Sequence, residues 1–99
     1  MSKVQEPIEN LKEAILTFLE DENVRVVLFG SRARGDFAST SDVDVGIIPK
    51  DGFDRKKLTL LREHVEGLNI PYKVEIVDFS AVSEKFKGMA SKEAVIWKD

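Results

Sequence analysis

Residues 30–44 read Gly-Ser-Arg-Ala-Arg-Gly-Asp-Phe-Ala-Ser-Thr-Ser-Asp-Val-Asp, and they lie between two apolar runs. The first run, residues 25–29, ends at the Gly30-Ser31 pair, and the second begins with Asp42-Val43-Asp44. Both runs are rich in β-branched residues, which predicts two strands joined by a polar connection. The polar residues of this segment therefore belong at the end of one strand and the start of the next.

The Gly-Ser pair and the arginines that follow it have the chemistry of a phosphate site. Gly30 lets a backbone approach a ligand closely, and Ser31 adds a hydroxyl donor. Backbone N–H groups that follow such a turn can point together at an anion. Arg32 and Arg34 add charged donors that can contact phosphate oxygens in pairs. Taken alone, a Gly-Ser pair after a strand is also compatible with a simple turn.

The two aspartates that open the second run have the chemistry of a metal site. Asp42 and Asp44 are two residues apart on a predicted strand, so both carboxylates leave the same face, while Val43 and Val45 point to the other. At ~4 Å and an effective dielectric of ~20, two carboxylates repel by roughly 4 kcal/mol. A divalent cation relieves that repulsion, and Mg²⁺ with nucleotide phosphates is the usual occupant. A solvated strand edge is the alternative reading of Asp-x-Asp alone.

Length and composition narrow the class of protein. The 99 residues are enough for one domain, and 42% hydrophobic with 33% charged residues is typical of a soluble globular chain. Without cysteine there is no disulfide, thiol nucleophile or cysteine-based zinc site. The net charge of −3 argues against a general nucleic-acid coat. No apolar run approaches the ~20 residues of a membrane span and no signal-peptide core is present, so a cytoplasmic location is expected.

Hydrophobic periodicity predicts alternating helices and strands. Apolar residues at helical spacing predict helices over residues 6–20, 54–67 and 80–90, and short β-branched runs predict strands over residues 24–29, 43–48 and 72–78. Residues 93–99 are expected to form a short apolar tail, in which Trp97 either packs on the core or anchors a partner. The order predicts an α/β fold, a small mixed sheet with helices packed largely on one face.

The Gly-Ser pair, ten further residues and then Asp-x-Asp resemble the signature of the nucleotidyltransferase superfamily related to DNA polymerase β. The chain is most similar to the minimal nucleotidyltransferases, or MNT domains. The similarity covers nearly the whole chain, because residues 72–79 also look like that family, and Arg32, Arg34, Gly35 and Ser41 strengthen it. The resemblance implies one minimal nucleotidyltransferase domain over residues 1–99.

The resemblance also implies a third carboxylate on the next strand, and Glu75 is the candidate. Val74 and Ile76 flank it and can face the core, so Glu75 faces the other way. The family usually has Asp at this position, and a surface salt bridge is the alternative role for Glu75. Asp78 is the rival residue, but its alternation places it with Val74 and Ile76 and favours capping of the following helix.

By resemblance, the chain would move a nucleoside monophosphate from ATP or another NTP onto a hydroxyl and release pyrophosphate. Asp42, Asp44 and Glu75 would be catalytic and would hold Mg²⁺, with two ions expected. The nucleotide-binding residues implied by the same resemblance are Gly30, Ser31, Arg32, Arg34 and Ser41.

The resemblance further implies a partner protein. Family members of this size are similar to subunits that work beside a small all-helical HEPN-type protein, and some act as antitoxins by adding AMP to a tyrosine of that partner. A homo-oligomer is compatible with the same features. Two alternatives stay open: a catalytically weak or inactive module that neutralises its partner by contact, and a nucleotidyltransferase for a small molecule.

Overall fold

The computed structural model of the chain describes residues 7–30, 33 and 42–99. Within those residues the elements follow one another as helix, two strands, helix, strand, 3-10 turn, helix and strand. Their bounds are α1 Pro7–Phe18, β1 Val24–Phe29, β2 Val43–Pro49, α2 Lys57–Glu66, β3 Val74–Asp78, a 3-10 turn Phe79–Ala81, α3 Glu84–Glu93 and β4 Val95–Lys98.

The four described strands form one mixed sheet in the order β3-β2-β1-β4. β1 pairs antiparallel with both β2 and β4, whereas β2 pairs parallel with β3. Parallel neighbours need a crossover connection, and α2 supplies it between β2 and β3. The predicted small mixed sheet is therefore confirmed.

α1 and α2 cover one face of the sheet, and the predicted apolar stripes are the surfaces they bury. From α1 the stripe contributes Leu11 and Ile15, and from α2 Leu58, Leu61 and Val65. Alternate residues of the strands complete this cluster: Val24, Val26, Leu28, Val43, Val45, Ile47 and Ile76. Because side chains alternate along a strand, burial of Val43 and Val45 turns Asp44 to the other face.

A smaller aromatic cluster lies on that other face. Phe29 and Phe79 meet edge-on at 5.2 Å between ring centroids, and Phe86 of α3 lies 5.9 Å from Phe29. Gly46 makes room for this cluster, because a Cβ atom there would lie 2.6 Å from the Phe79 ring. α3 therefore covers part of the second face beside β1, at a distance along the sheet from Glu75.

Two helix boundaries differ from the sequence prediction. The helix predicted over residues 80–90 is split into a 3-10 turn and α3, with extended backbone at Val82 between them. The Ser83 hydroxyl accepts a hydrogen bond from the Phe86 amide at 3.1 Å, which gives α3 its own N-cap. α2 begins at Lys57 rather than at residue 54, and the Asp54 carboxylate accepts a hydrogen bond from the Lys56 amide at 3.0 Å in the segment that precedes the helix.

The apolar tail predicted over residues 93–99 is a fourth strand. β4 pairs with β1 through Val27–Ile96 and Leu28–Val95. A 2.7 Å ion pair between Arg25 and Asp99 ties its end to β1. Strand β1 would otherwise expose a row of unpaired peptide groups, which is why a short apolar segment is held there. Trp97 packs against the α1 side of the core, as one of the two sequence interpretations expected.

None of the helices in the described part of the chain is long and apolar enough to cross a membrane.

Candidate functional site

The pairing of β2 with β3 brings two of the predicted carboxylates side by side. Asp44 and Glu75 are direct partners in the parallel register, so their Cα atoms lie on neighbouring strands about 4.8 Å apart. Both side chains leave the face opposite α1 and α2, since Val45 and Ile76 are buried on the helical face. Glu75 is exposed and Asp44 is half-buried. The parity predicted for Glu75 is thus observed.

Gly30 lies against the opposite flank of Asp44. Phe29, the last residue of β1, pairs with Asp44, and Gly30 follows it with a φ of +79°. A Cβ atom on Gly30 would overlap the Asp44 carboxylate. Glycine is required here both for the left-handed backbone and for the close approach to Asp44. Gly30, Asp44 and Glu75 therefore form a row across β1, β2 and β3.

Negative charges lie close together around Asp44 in this row. Burial raises the pKa of Asp44 above its ordinary value, and the charges of Asp42 and Glu75 raise it further. Asp42 is exposed and immediately precedes β2. The three predicted carboxylates thus interact electrostatically, which is the situation that a bound cation relieves.

The fit of this site to Mg²⁺ depends on its donor chemistry. In residues 7–30, 33 and 42–99, no three carboxylate, histidine or cysteine side chains converge on a point that could hold a metal ion. Mg²⁺ is usually bound by one or two carboxylates together with substrate phosphates and waters, so a closed protein cage is not required. The hard oxygen donors and the raised pKa of Asp44 fit that ion.

The remaining predicted nucleotide-binding residues, Ser31, Arg32, Arg34 and Ser41, lie outside the described residues. Ala33, which is described, donates its amide hydrogen to the Gly30 carbonyl at 3.1 Å.

Asp78 has the structural role that its alternation predicted. Its carboxylate accepts hydrogen bonds from the Ser80 amide at 2.9 Å and the Ser80 hydroxyl at 2.6 Å, and so caps the 3-10 turn. Arg55 donates to its other oxygen at 2.8 Å through Nε. Burial raises the pKa of Asp78, but the bonds from Ser80 and Arg55 outweigh burial and hold that pKa below its ordinary value.

We expect Asp78→Ala to destabilise the fold by about 1–3 kcal/mol, because hydrogen bonds to a charged group are lost. A carboxylate whose pKa is lowered by folding stabilises the native state above its unfolded pKa of about 3.9, and this contribution is lost as pH falls through the lowered value. The difference between the two proteins should therefore be full at pH 7 and shrink in acid. Urea unfolding at several pH values measures it, and a difference that persists unchanged in acid would contradict the assignment.

Two members of the basic run Arg55-Lys56-Lys57 have acidic partners in the structure. Arg55 pairs with Asp78 at 2.6 Å, and Lys57 pairs with Glu22 at 3.1 Å. No local spacing signals these pairs, since each joins residues distant in sequence. The single histidine, His64, stacks on Phe18 at 5.2 Å on the outer surface of the helices.

Three surface concavities help to delimit the site. One of about 400 Å³ lies between α1 and α2 beside Phe18 and His64, and contains none of the predicted site residues. A second, of about 310 Å³, lies beside Gly30 and is lined by Phe86 and Met89 of α3. A third, of about 300 Å³, follows the edge of β3 and contains Glu75. The row from Gly30 to Glu75 therefore has a groove at each end.

Comparison with known sequences points to one family. A profile described as Polymerase beta, Nucleotidyltransferase matches residues 12–98. The chain is 49% identical over 49 residues to a Methanocaldococcus jannaschii protein named as a protein adenylyltransferase, a stretch that covers 50% of each chain. It is 31% identical over 68 residues to a Haemophilus influenzae protein adenylyltransferase named MntA, covering 69% of this chain and 60% of the relative. The matched stretches thus span half to three fifths of these relatives.

Solved structures share the fold. A structure described as a minimal nucleotidyltransferase superposes with a TM-score of 0.72 at 24% identity, covering 95% of this chain and 98% of the other. A toxin–antitoxin structure with AMP-PNP gives 0.65 at 21% identity, with coverages of 87% and 71%. A structure of a tri-AMPylated Shewanella oneidensis HEPN toxin with its MNT antitoxin gives 0.61 at 18% identity, with coverages of 90% and 70%.

Proposed function

Because this chain belongs to the Polymerase beta, Nucleotidyltransferase family, we propose that it transfers AMP from ATP to a hydroxyl group of a protein and releases pyrophosphate. The relatives named as protein adenylyltransferases support the choice of nucleotide and acceptor. The observation that carries the proposal is the row in which Asp44 lies between Gly30 and Glu75.

Residues at the two ends of the row would have different roles in the transfer. Gly30 keeps the backbone close to Asp44 and, with Ser31, would hold the outer phosphates, while Arg32 or Arg34 would neutralise charge on the departing pyrophosphate. Asp42, Asp44 and Glu75 would hold Mg²⁺. Bound there, Mg²⁺ would stabilise the entering and leaving oxygens of an in-line displacement. Glu75, at the far end from Gly30, would lie on the side of the attacking hydroxyl.

A small all-helical HEPN-type protein is the proposed partner, and the chain would be its antitoxin. The fold is shared with a structure described as a HEPN toxin in complex with an MNT antitoxin and with a second toxin–antitoxin structure, which supports this choice. The chain also exposes large apolar side chains near α3 and β4, namely Phe86, Met89, Val95 and Ile96, the last of them 54% exposed. Exposed apolar surface of this kind is typical of protein interfaces.

Neutralisation of the partner by contact alone is the second candidate. It is favoured by one observation, the 3.9 Å ion pair between Lys73 and Glu75, which would give Glu75 a purely structural role. Both side chains are largely exposed, so this pair contributes little to stability. Intact-mass analysis separates the candidates. The chain is incubated with Mg²⁺, each NTP and, in turn, each protein encoded by a neighbouring gene. Transfer adds one nucleotide mass to the partner, whereas contact alone adds none.

We expect Mg²⁺ and ATP together to stabilise the folded chain, because they relieve the repulsion at Asp44 only in the native state. At 100 times its dissociation constant a ligand contributes roughly 2.7 kcal/mol. That corresponds to an increase in melting temperature on the order of 10 °C or more for a domain of this size. The double variant Asp42→Asn, Asp44→Asn should lose the Mg²⁺-dependent part of the increase. A melting temperature that stays constant across millimolar Mg-ATP would rule out the nucleotide site.

A further inference from the structure

The groove that contains Glu75 lies between α2 and the free edge of the sheet; we refer to it as the β3-edge groove. β3 has a single neighbour in the described sheet, so its outer edge faces this groove. The apolar lining consists of Val65, Leu68, Ile70, Tyr72 and Val74, and Glu66 and Lys73 line its rim. A smaller cavity of about 110 Å³, lined by Arg62, Glu66 and Glu75 among others, continues it along β3.

The position of the β3-edge groove relative to the row decides whether the groove is on the side of the attacking hydroxyl or on the side of the leaving group. In an in-line displacement the attacking hydroxyl and the leaving group are on opposite sides of the phosphorus. Under the proposed function the outer phosphates lie at Gly30, on the β1 side of Asp44, and Glu75 lies on the β3 side. The groove beside Gly30 is thus on the leaving-group side. The β3-edge groove opens on the side from which the hydroxyl must arrive.

The charges of the β3-edge groove indicate what class of acceptor it suits. Two acids, Glu66 and Glu75, and two bases, Arg62 and Lys73, line the two adjoining cavities. Both basic side chains have partners within the chain. Arg62 donates a hydrogen bond to the Ile76 carbonyl at 3.0 Å, and Lys73 forms an ion pair with Glu75 at 3.9 Å. A polynucleotide acceptor requires an excess of cations along its path. The balanced rim and apolar lining instead suit an uncharged polypeptide.

The Arg62 contact also limits where such a polypeptide can lie. An extended segment can pair with the peptide groups at the edge of a sheet. The Arg62 guanidinium donates to the Ile76 carbonyl and so occupies this edge at Ile76. A segment can therefore pair only with the part of the β3 edge near Val74, next to Glu75. A side-chain hydroxyl of a segment bound there would face the row at Glu75.

We propose that the β3-edge groove binds the acceptor: an extended, uncharged segment of a partner protein that presents a side-chain hydroxyl beside Glu75. This inference rests on the proposed function and adds to it the surface that selects the acceptor. Apolar residues flanking the hydroxyl would occupy the lining formed by Leu68, Ile70 and Val74.

A pair of matched variants tests the groove. Glu66→Trp places a large ring at the rim of the β3-edge groove, and Glu63→Trp places the same ring at another exposed position of α2, one that lines neither of the two adjoining cavities. The probe is a pool of short synthetic peptides in which one Tyr, Ser or Thr stands between apolar residues. Transfer from Mg-ATP is followed by the AMP mass gain, and hydrolysis of ATP to AMP is followed in parallel.

We expect Glu66→Trp to raise the KM for the accepted peptides by about tenfold or more, the effect of losing roughly 1.4 kcal/mol of binding, and Glu63→Trp to leave that KM unchanged. Circular dichroism confirms that both variants are folded. The groove assignment is overturned if both variants act alike, if Glu66→Trp has no effect, or if ATP is hydrolysed while no peptide accepts AMP. Absence of any ATP turnover or Mg-ATP stabilisation in the unmodified chain would instead overturn the proposed function, and the groove assignment with it.

Discussion

Replacing Asp44 by Asn is expected to lower the rate of nucleotide transfer by about 10³-fold or more, since each 1.36 kcal/mol of lost transition-state stabilisation costs a factor of ten. Asp44 occupies the centre of the row, against Gly30 on one side and Glu75 on the other. Asparagine keeps the shape of the side chain but removes the charge that would hold Mg²⁺. The rate of AMP transfer per folded molecule is the measurement.

The same substitution should make the ligand-free chain more stable. Burial and the charges of Asp42 and Glu75 raise the pKa of Asp44, so the ionised form destabilises the native state at neutral pH. Because solvent screens charges at this half-buried position, removing the charge should raise the free energy of unfolding by only about 0.5 kcal/mol. Asp21→Asn, at an exposed position before β1, is the control and should change neither rate nor stability. A less stable Asp44→Asn with normal transfer would contradict the functional assignment.

Glu75→Ala should lower transfer by about 10²–10³-fold, the cost typical of removing one preorganised electrostatic group from an active site. Folding should be nearly intact, because Glu75 is exposed and its ion pair with Lys73 is long. Glu75→Asp should keep substantial activity, since the ligand chemistry is preserved and only the reach of the side chain changes. Transfer rates and urea midpoints of both variants provide the test.

Asp78→Ala is the contrasting variant on the same strand. It should lose stability, because its partners Ser80 and Arg55 are structural, while its rate per folded molecule stays close to that of the unmodified chain. If Asp78→Ala were inactive and Glu75→Ala active, the working register of β3 would differ by one residue from the observed pairing of Asp44 with Glu75. If neither changed the rate, no third carboxylate would act on this strand.

Several elements of the fold were predictable from local patterns. The strand predicted over residues 24–29 is observed as Val24–Phe29, and the second predicted strand is observed as Val43–Pro49. Of the five apolar residues at helical spacing in the first predicted helix, Leu11, Ile15 and Leu19 are fully buried, and Ile8 and Phe18 are partly buried. These predictions succeed because a helix of period 3.6 or a strand of period 2 places its own apolar residues on one side, whatever it packs against.

Other elements depended on contacts that no local pattern carries. β4 consists of four residues, two of them exposed, and it is a strand because β1 offers it an unpaired edge. α3 begins only at Glu84 because Asp78 and Ser83 each cap a separate turn. The pairs Arg55–Asp78 and Lys57–Glu22 join residues far apart in sequence and were not predicted.

The candidate site also combines features that follow from local sequence with features that depend on contacts between distant segments. Residue type alone indicated the candidate site residues, and period-2 alternation indicated which strand face Asp44 and Glu75 occupy, because both are local properties of the sequence. The tertiary structure alone decided that Glu75 pairs with Asp44, that Gly30 lies against the same carboxylate, and that a groove reaches the row along β3. Strand order and register are set by packing of the whole sheet against α1 and α2, so they emerge only when the distant segments meet.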